Sequence, residues 1–188
     1  MVKMLDNAYD ALRPDLVLFT GDNILGNHLL DARFGTKPVA GGKSATYEIM
    51  CDSIRHITAP LEKRNIPFAM IFGNHDDCND VSKSEQADIF RKCKNCLPMN
   101  TGINGLDCDT YNITVLPYEG ETPLFNFWML DTERKKKKEG RCFEKIKPET
   151  VEWYKKTSAQ LKEQNGGEVV PSLMFMHIPL KEIENLIE

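Results

Sequence analysis

Three places in the 188-residue chain put metal-type donors directly after a short apolar run. The run Leu16-Val17-Leu18-Phe19 leads into Thr20-Gly21-Asp22-Asn23. The run from Phe68 to Phe72 leads into Gly73-Asn74-His75-Asp76-Asp77, and the run from Leu173 to Met176 into His177-Ile178-Pro179. A carboxylate (Asp22), an amide oxygen (Asn74) and imidazoles (His75, His177) are the mixed hard and borderline donors that suit Zn²⁺, Mn²⁺ or iron. The glycines ahead of Asp22 and Asn74 permit the sharp turn that aims the next side chain over the end of a strand. One Gly-Asp after a strand is an ordinary turn, and one His ending a strand is an ordinary hydrogen-bonding residue. Three such ends in one chain make a site the better reading.

Donors at strand ends need strands, and the sequence supplies them between helices. Apolar runs bounded by Pro, Gly or Asp predict strands at about 15–20, 67–72, 111–116, 125–131 and 171–177, the first, second and last of them buried. The opening segment predicts an amphipathic helix with Leu5, Ala8, Tyr9 and Leu12 on one face. A second helix is expected from Ser44, as its cap, to Lys63, with Tyr47, Met50, Cys51, Ile54, Ile57 and Leu61 as its apolar stripe. Others are expected over 83–95 and, with Pro148 in its first turn, over 149–164. Residues 23–42 and the basic tract 132–147 read as loops, the latter exposed. Strands alternating with helices indicate an α/β domain with a partly parallel sheet, whose ligands gather outside the carboxyl ends of the strands. The length suits a single domain over residues 1–188.

Composition excludes several classes. Hydrophobic residues make up 41% and charged residues 28%, an ordinary globular balance. No run approaches the ~18 apolar residues of a spanning helix. A net charge of −4 provides no basic field, so nucleic acid is not an expected partner. The start lacks the uninterrupted apolar stretch of a signal peptide, which tilts toward an intracellular location without fixing the compartment. The sequon Asn112-Ile113-Thr114 has meaning only in a secreted protein. Six cysteines would suit a disulfide framework, which a chain with a real core does not need. Cys93-Lys94-Asn95-Cys96 is a CxxC without a second pair at metal spacing, so free thiols stand beside a structural zinc or a disulfide.

In that order, "DLVLFTGDN", "PFAMIFGNHDD" and "SLMFMHIPL" resemble the calcineurin-like metallophosphoesterase superfamily, and most of all the phosphatases related to purple acid phosphatases. The resemblance runs from about residue 10 to 180. It implies a two-sheet α/β/β/α sandwich and two divalent metal ions (Mn, Zn or Fe), with a hydroxide between them that attacks a phosphate ester in line. By the same resemblance Asp22 bridges the metals, Asn74 and His177 bind the second, His75 faces the substrate and aids the transition state, and Asp76 either orients the His75 ring or has a purely structural role.

The chain also departs from that pattern. The family opens with a strand ending in Asp-x-His and closes with Gly-His-x-His. Neither occurs, the histidines being His28, His56, His75 and His177. The chain therefore reads as a fragment lacking the first strand and the C-terminal part, weak or inactive as a phosphatase by itself. Leu25 stands where purple members carry an iron-binding tyrosine, which argues against a purple ferric centre. Two other readings compete: a non-catalytic remnant of the fold and a thiol-based metal-binding module. Gly41-Gly42-Lys43-Ser44 is not a phosphate loop, since position 37 is Lys. The run from Arg134 to Lys138 reads as a solvated loop, and His28 as an ordinary surface residue.

Overall fold

The computed structural model describes residues 2–24, 41–76, 78–100, 105–132 and 146–180. The chain divides into two compact units, Met1–Met99 and Asn100–Glu188. Leu25, His28, the run from Arg134 to Lys138 and Cys142 lie outside the described residues.

The first unit holds α1 (Val2–Leu12), β1 (Val17–Thr20), α2 (Gly42–Arg64), β2 (Phe68–Ile71) and α3 (Lys83–Arg91). β1 and β2 pair in parallel from Val17 opposite Phe68 to Thr20 opposite Ile71. A parallel pair needs a crossover connection, and α2 lies in it. β2 is buried at every position, which explains why it reads as a continuous apolar run rather than an alternation. Met50, Ile54 and Leu61 of the α2 stripe and Phe72 and Phe90 are buried to the same degree as Phe68 and Met70. α2 ends where Asn65 adopts a left-handed conformation (φ 53°) and its amide returns to the Leu61 and Glu62 carbonyls. Arg64, in the last turn, donates to Asp6 (2.6 Å) and Asp10 (2.7 Å), tying α1 to α2.

Three expectations need correction in this unit. The residue capping α2 is Gly41, in a left-handed conformation, and Ser44 falls inside the first turn. Leu12 is 76% exposed, because the buried face of α1 ends with Tyr9. α3 stops at Arg91 rather than 95. The chain turns there through Cys93–Cys96 to run beside β2, Phe68 donating to the Asn95 carbonyl (2.9 Å) and Leu97 to the Phe68 carbonyl (2.8 Å). The start of α3 is a full capping box, with Ser82 and Glu85 satisfying each other's amides.

The second unit holds β3 (Tyr111–Val115), β4 (Phe125–Leu130), α4 (Pro148–Gln164) and β5 (Ser172–Met176). Its sheet runs β3-β4-β5, with β3 antiparallel and β5 parallel to β4. α4 starts with Pro148 in its first turn, as expected, and packs through Trp153 and Tyr154 on a cluster of Trp128, Leu161 and Val170. The Trp128 ring meets Tyr154 at 4.7 Å and Trp153 at 5.5 Å in edge contacts worth more than their buried area alone. Thr132 is buried, so the tract expected to be exposed over 132–147 begins inside the fold. The sequon lies in β3, where the Asn112 amide donates to Asn126 Oδ1 (2.9 Å) and Thr114 Oγ1 (3.3 Å). The described residues therefore form a mixed α/β protein with two sheets.

Candidate functional site

β1 and β2 are parallel, so their carboxyl ends open on the same side. After β1 the chain turns through Gly21 (φ 96°) and Asp22, itself left-handed at φ 49°. Asp is among the few side chains that tolerate that region. After β2, Gly73 passes so close that a Cβ there would overlap the Asp22 backbone nitrogen and Oδ1 and lie 2.9 Å from its Cγ. Only glycine permits this approach. The His75 amide donates to Asp22 Oδ1 (3.0 Å) and the Asn23 side-chain amide to the Ile71 carbonyl (2.8 Å).

The Asp76 carboxylate cross-braces the two turns. Oδ1 accepts from the Ile24 amide (2.9 Å) and Oδ2 from the Gly73 amide (2.6 Å), both buried. The Asp22 amide binds it as well. Burial pushes this carboxyl up to about 6, with the Asp22 charge adding to the rise and the amide bonds opposing it. The Asp76 carbonyl is held in turn by Asn79 (2.8 Å) and by the buried Gln86 (2.7 Å). These bonds go to backbone, and none goes to the His75 ring. Asp76 thus positions the peptides that carry Asp22 and Asn74. His75 Nδ1 is buried without a hydrogen-bond partner. Buried polar atoms of that kind are rare in proteins and call for an explanation.

The second unit repeats the arrangement. β4 and β5 are parallel, β4 delivering Asp131 and Thr132 and β5 delivering the half-buried His177. Thr110 Oγ1 accepts from the Asp131 amide (3.2 Å), and Thr132 Oγ1 from the Ile178 amide (3.0 Å). So Asp22, Asn74, His75 and Asp76 come together in the first unit, and His177 ends a strand of the second. Among the described residues no three His, Cys, Asp or Glu side chains are gathered as a metal cluster. The two turns of the first unit carry an aspartate and an asparagine, residue types whose oxygens suit a hard or borderline cation.

Sequence reasoning allowed a structural role for Asp76 but not the partners it braces. Nothing in the residue type separates Asp76 from a functional aspartate, but Asn79 gives a signal. Its Oδ1 accepts from the Val81 amide two residues on (2.7 Å), the signature of an Asx turn that closes the loop behind Asp76.

Comparison with known proteins gives a consistent result. The model of the family described as calcineurin-like phosphoesterase matches residues 1–186. An uncharacterized protein of Schizosaccharomyces pombe is 29% identical over 90% of this chain and 28% of its own. The probable inactive purple acid phosphatase 14 of Arabidopsis thaliana is 27% identical over 90% of this chain and 42% of its own. Phosphatase DCR2 of Saccharomyces cerevisiae is 26% identical over 94% of this chain and 28% of its own. The chain thus spans less than half the length of these relatives. No solved structure matches it. With a family model matched over nearly every residue, and with its motifs at the strand ends just described, the chain belongs to the calcineurin-like phosphoesterase family.

Proposed function

We propose that this chain carries part of a phosphoester-hydrolysing site, in which Asp22 and Asn74 supply donors to a divalent cation, His75 faces the substrate, and His177, at the end of β5, serves as a metal ligand. The observation that carries this is the cross-braced pair of turns. Gly73 comes into contact with Asp22 where any side chain would collide, and a buried carboxylate fixes both backbones. A fold does not keep a left-handed Asp and a buried charge together without return, and strain of this kind collects at functional sites.

A cation bound there would supply positive charge to the phosphoryl oxygens and lower the pKa of an attacking water. The chain's own residues supply the rest. Asp22 Oδ1 is anchored by the His75 amide, which fixes the direction of its other oxygen. His75, with one ring nitrogen enclosed and unsatisfied, can donate to a phosphoryl or leaving-group oxygen in the transition state. Among the described residues the donor types at the strand ends of the first unit fit one cation, and Asp-x-His and Gly-His-x-His do not occur in the sequence. A non-catalytic member of the fold is therefore the second reading, and three relatives from Arabidopsis thaliana are themselves named as probable inactive purple acid phosphatases.

Mn²⁺ titration and p-nitrophenyl phosphate hydrolysis with Mn²⁺, Zn²⁺ or Fe²⁺ test the proposal together, on wild type, Asp22→Asn and Asn74→Ala. One Mn²⁺ per chain is expected, weakened at least about tenfold in either variant, since even outer partners of metal ligands cost that much. Turnover is expected below about 1 s⁻¹, under the ordinary enzymatic range. Two tight Mn²⁺ sites, or binding untouched by both variants, would refute the one-cation site.

A further inference from the structure

After α3 the chain makes a tight turn whose first and last residues are cysteines. The Cys96 amide donates to the Cys93 carbonyl (3.3 Å), closing the turn on the four residues Cys93-Lys94-Asn95-Cys96. Such a turn brings its end Cα atoms within about 7 Å. That is the separation a disulfide spans, about 4.4–6.8 Å between Cα atoms. The turn is also held from outside. Glu62 of α2 receives both inner amides, Asn95 on Oε1 (2.7 Å) and Lys94 on Oε2 (3.0 Å). The Asn95 and Lys94 side chains reach back to the Glu62 carbonyl (3.5 Å) and Asn65 Oδ1 (3.2 Å). Both thiols are free and half-buried, Cys93 Sγ lying 3.6 Å from the Thr58 hydroxyl and Cys96 Sγ 3.5 Å from the Leu97 carbonyl.

We propose that Cys93 and Cys96 form a redox modification site, a dithiol that closes to an intramolecular disulfide and clamps the segment running beside β2. The inference is independent of the phosphoesterase reading, since neither cysteine belongs to the turns around Asp22 and Asn74. The oxidant is a small disulfide of the glutathione class. The Cys93 thiolate attacks one of its sulfurs, releasing one small thiol and leaving a mixed disulfide. The Cys96 thiolate then attacks the Cys93 sulfur and releases the second small thiol. Two protein thiols lose two electrons and two protons, and one small disulfide gains them.

The surroundings favour the closed form. Burial pushes the Cys93 thiol up and the Cys96 thiol up to about 12, the neighbouring Cys93 sulfur adding to the latter. The C-terminal pole of α3 and the Glu62 carboxylate add negative potential at the same place, opposed by the Arg91 guanidinium and the Thr58 hydrogen bond. Dithiol pairs become strong oxidants when their thiolates are stabilised, and here the opposite holds. Structural zinc is the competing use of a CxxC. It needs four donors, and no three His, Cys, Asp or Glu gather around a common point among the described residues.

The test uses the full chain, incubated in mixtures of oxidised and reduced glutathione, alkylated, and mapped by mass spectrometry. The expected product is a Cys93–Cys96 linkage that persists in a several-fold excess of reduced glutathione and opens with a strong dithiol reductant. Cys96→Ser should stall as a stable glutathione adduct on Cys93. Three results would overturn the proposal: linkage to another cysteine in preference, a wild-type adduct that never resolves, or stoichiometric Zn²⁺ that shields both thiols from alkylation. The wild-type measurement stands even if the serine variant folds poorly.

Discussion

Strands β2 and β5 are both short apolar runs, both lie parallel to a neighbour, and both deliver an expected donor just past their carboxyl ends. Their surroundings differ. Phe68 to Ile71 are each fully buried, whereas Ser172, Leu173 and Met174 of β5 are exposed. β2 has β1 on one edge and the segment through Cys96 on the other, with buried side chains of α2 and α3 in the same core. Among the described residues β5 has β4 alone. An apolar run thus specifies a strand, while the depth at which it lies depends on what else covers it.

The largest test of that contrast is Phe68→Ala. The ring is wholly buried and meets Phe19 edge-on at 5.8 Å. Its removal leaves a cavity as well as lost transfer energy, and should destabilise the protein by about 3–5 kcal/mol in urea unfolding followed by far-UV circular dichroism. A cost under about 1 kcal/mol would mean that β2 is not the centre of its unit's core.

Gly73→Ala comes next, and moves the argument from the strand to its end. The added Cβ meets the Asp22 backbone nitrogen as well as its side chain, so no rotamer change relieves the overlap. Overpacking of this kind costs about 1–3 kcal/mol, and the upper end is expected because backbone must move. Mn²⁺ affinity should fall with it, since the Asp22 turn is displaced. An alanine variant with unchanged stability and Mn²⁺ binding would show that the two turns do not need their close approach.

How much of this was legible beforehand depended on whether the signal was local. The five strands, the α2 stripe of Met50, Ile54 and Leu61, and Pro148 at the start of α4 all follow from periodicity or from a residue acting on its own backbone. The mixed α/β class followed from their alternation. The positions of Asp22 and Asn74 at parallel strand ends were likewise readable, from apolar runs ending in glycine turns. The bracing by Asp76 was not, because its partners Ile24 and Gly73 are set by the pairing of β1 with β2 rather than by neighbours in sequence. Ser44 misled for a related reason. A serine ahead of an apolar stripe suits a cap, but a left-handed Gly41 caps the helix three residues earlier. The exposure of Leu173 had no local signal at all.

Glu85 gives a smaller effect with a defined pH signature. It closes the α3 capping box and pairs with Lys43 at 2.7 Å. The Lys43 bond, then those from Ser82, hold its carboxyl down at about 2. A lowered carboxyl pKa favours the folded state at pH values above the ordinary one near 4.5, and the benefit is lost as pH falls through about 2. The pair is substantially exposed, so solvent screening keeps the effect below about 1 kcal/mol. The stability difference between wild type and Glu85→Gln should therefore shrink as pH falls from about 4.5 toward 2. If the two proteins lose stability in parallel over that range, the carboxylate contributes nothing through its charge.

The smallest expected effect bears most directly on the contrast between the strands. Leu173 is 55% exposed on β5. Substitution by Thr introduces a β-branched residue suited to a strand while removing apolar surface that already meets water. Surface changes away from special features stay within about 0.5 kcal/mol, and that is the expectation here. Both tryptophans, Trp128 and Trp153, lie in the unit that contains β5, so their fluorescence reports this change locally. A loss of about 2 kcal/mol or more could not come from a half-solvated side chain. It would show that Leu173 is covered in solution, and that β5, like β2, is a buried strand whose cover lies outside the described residues.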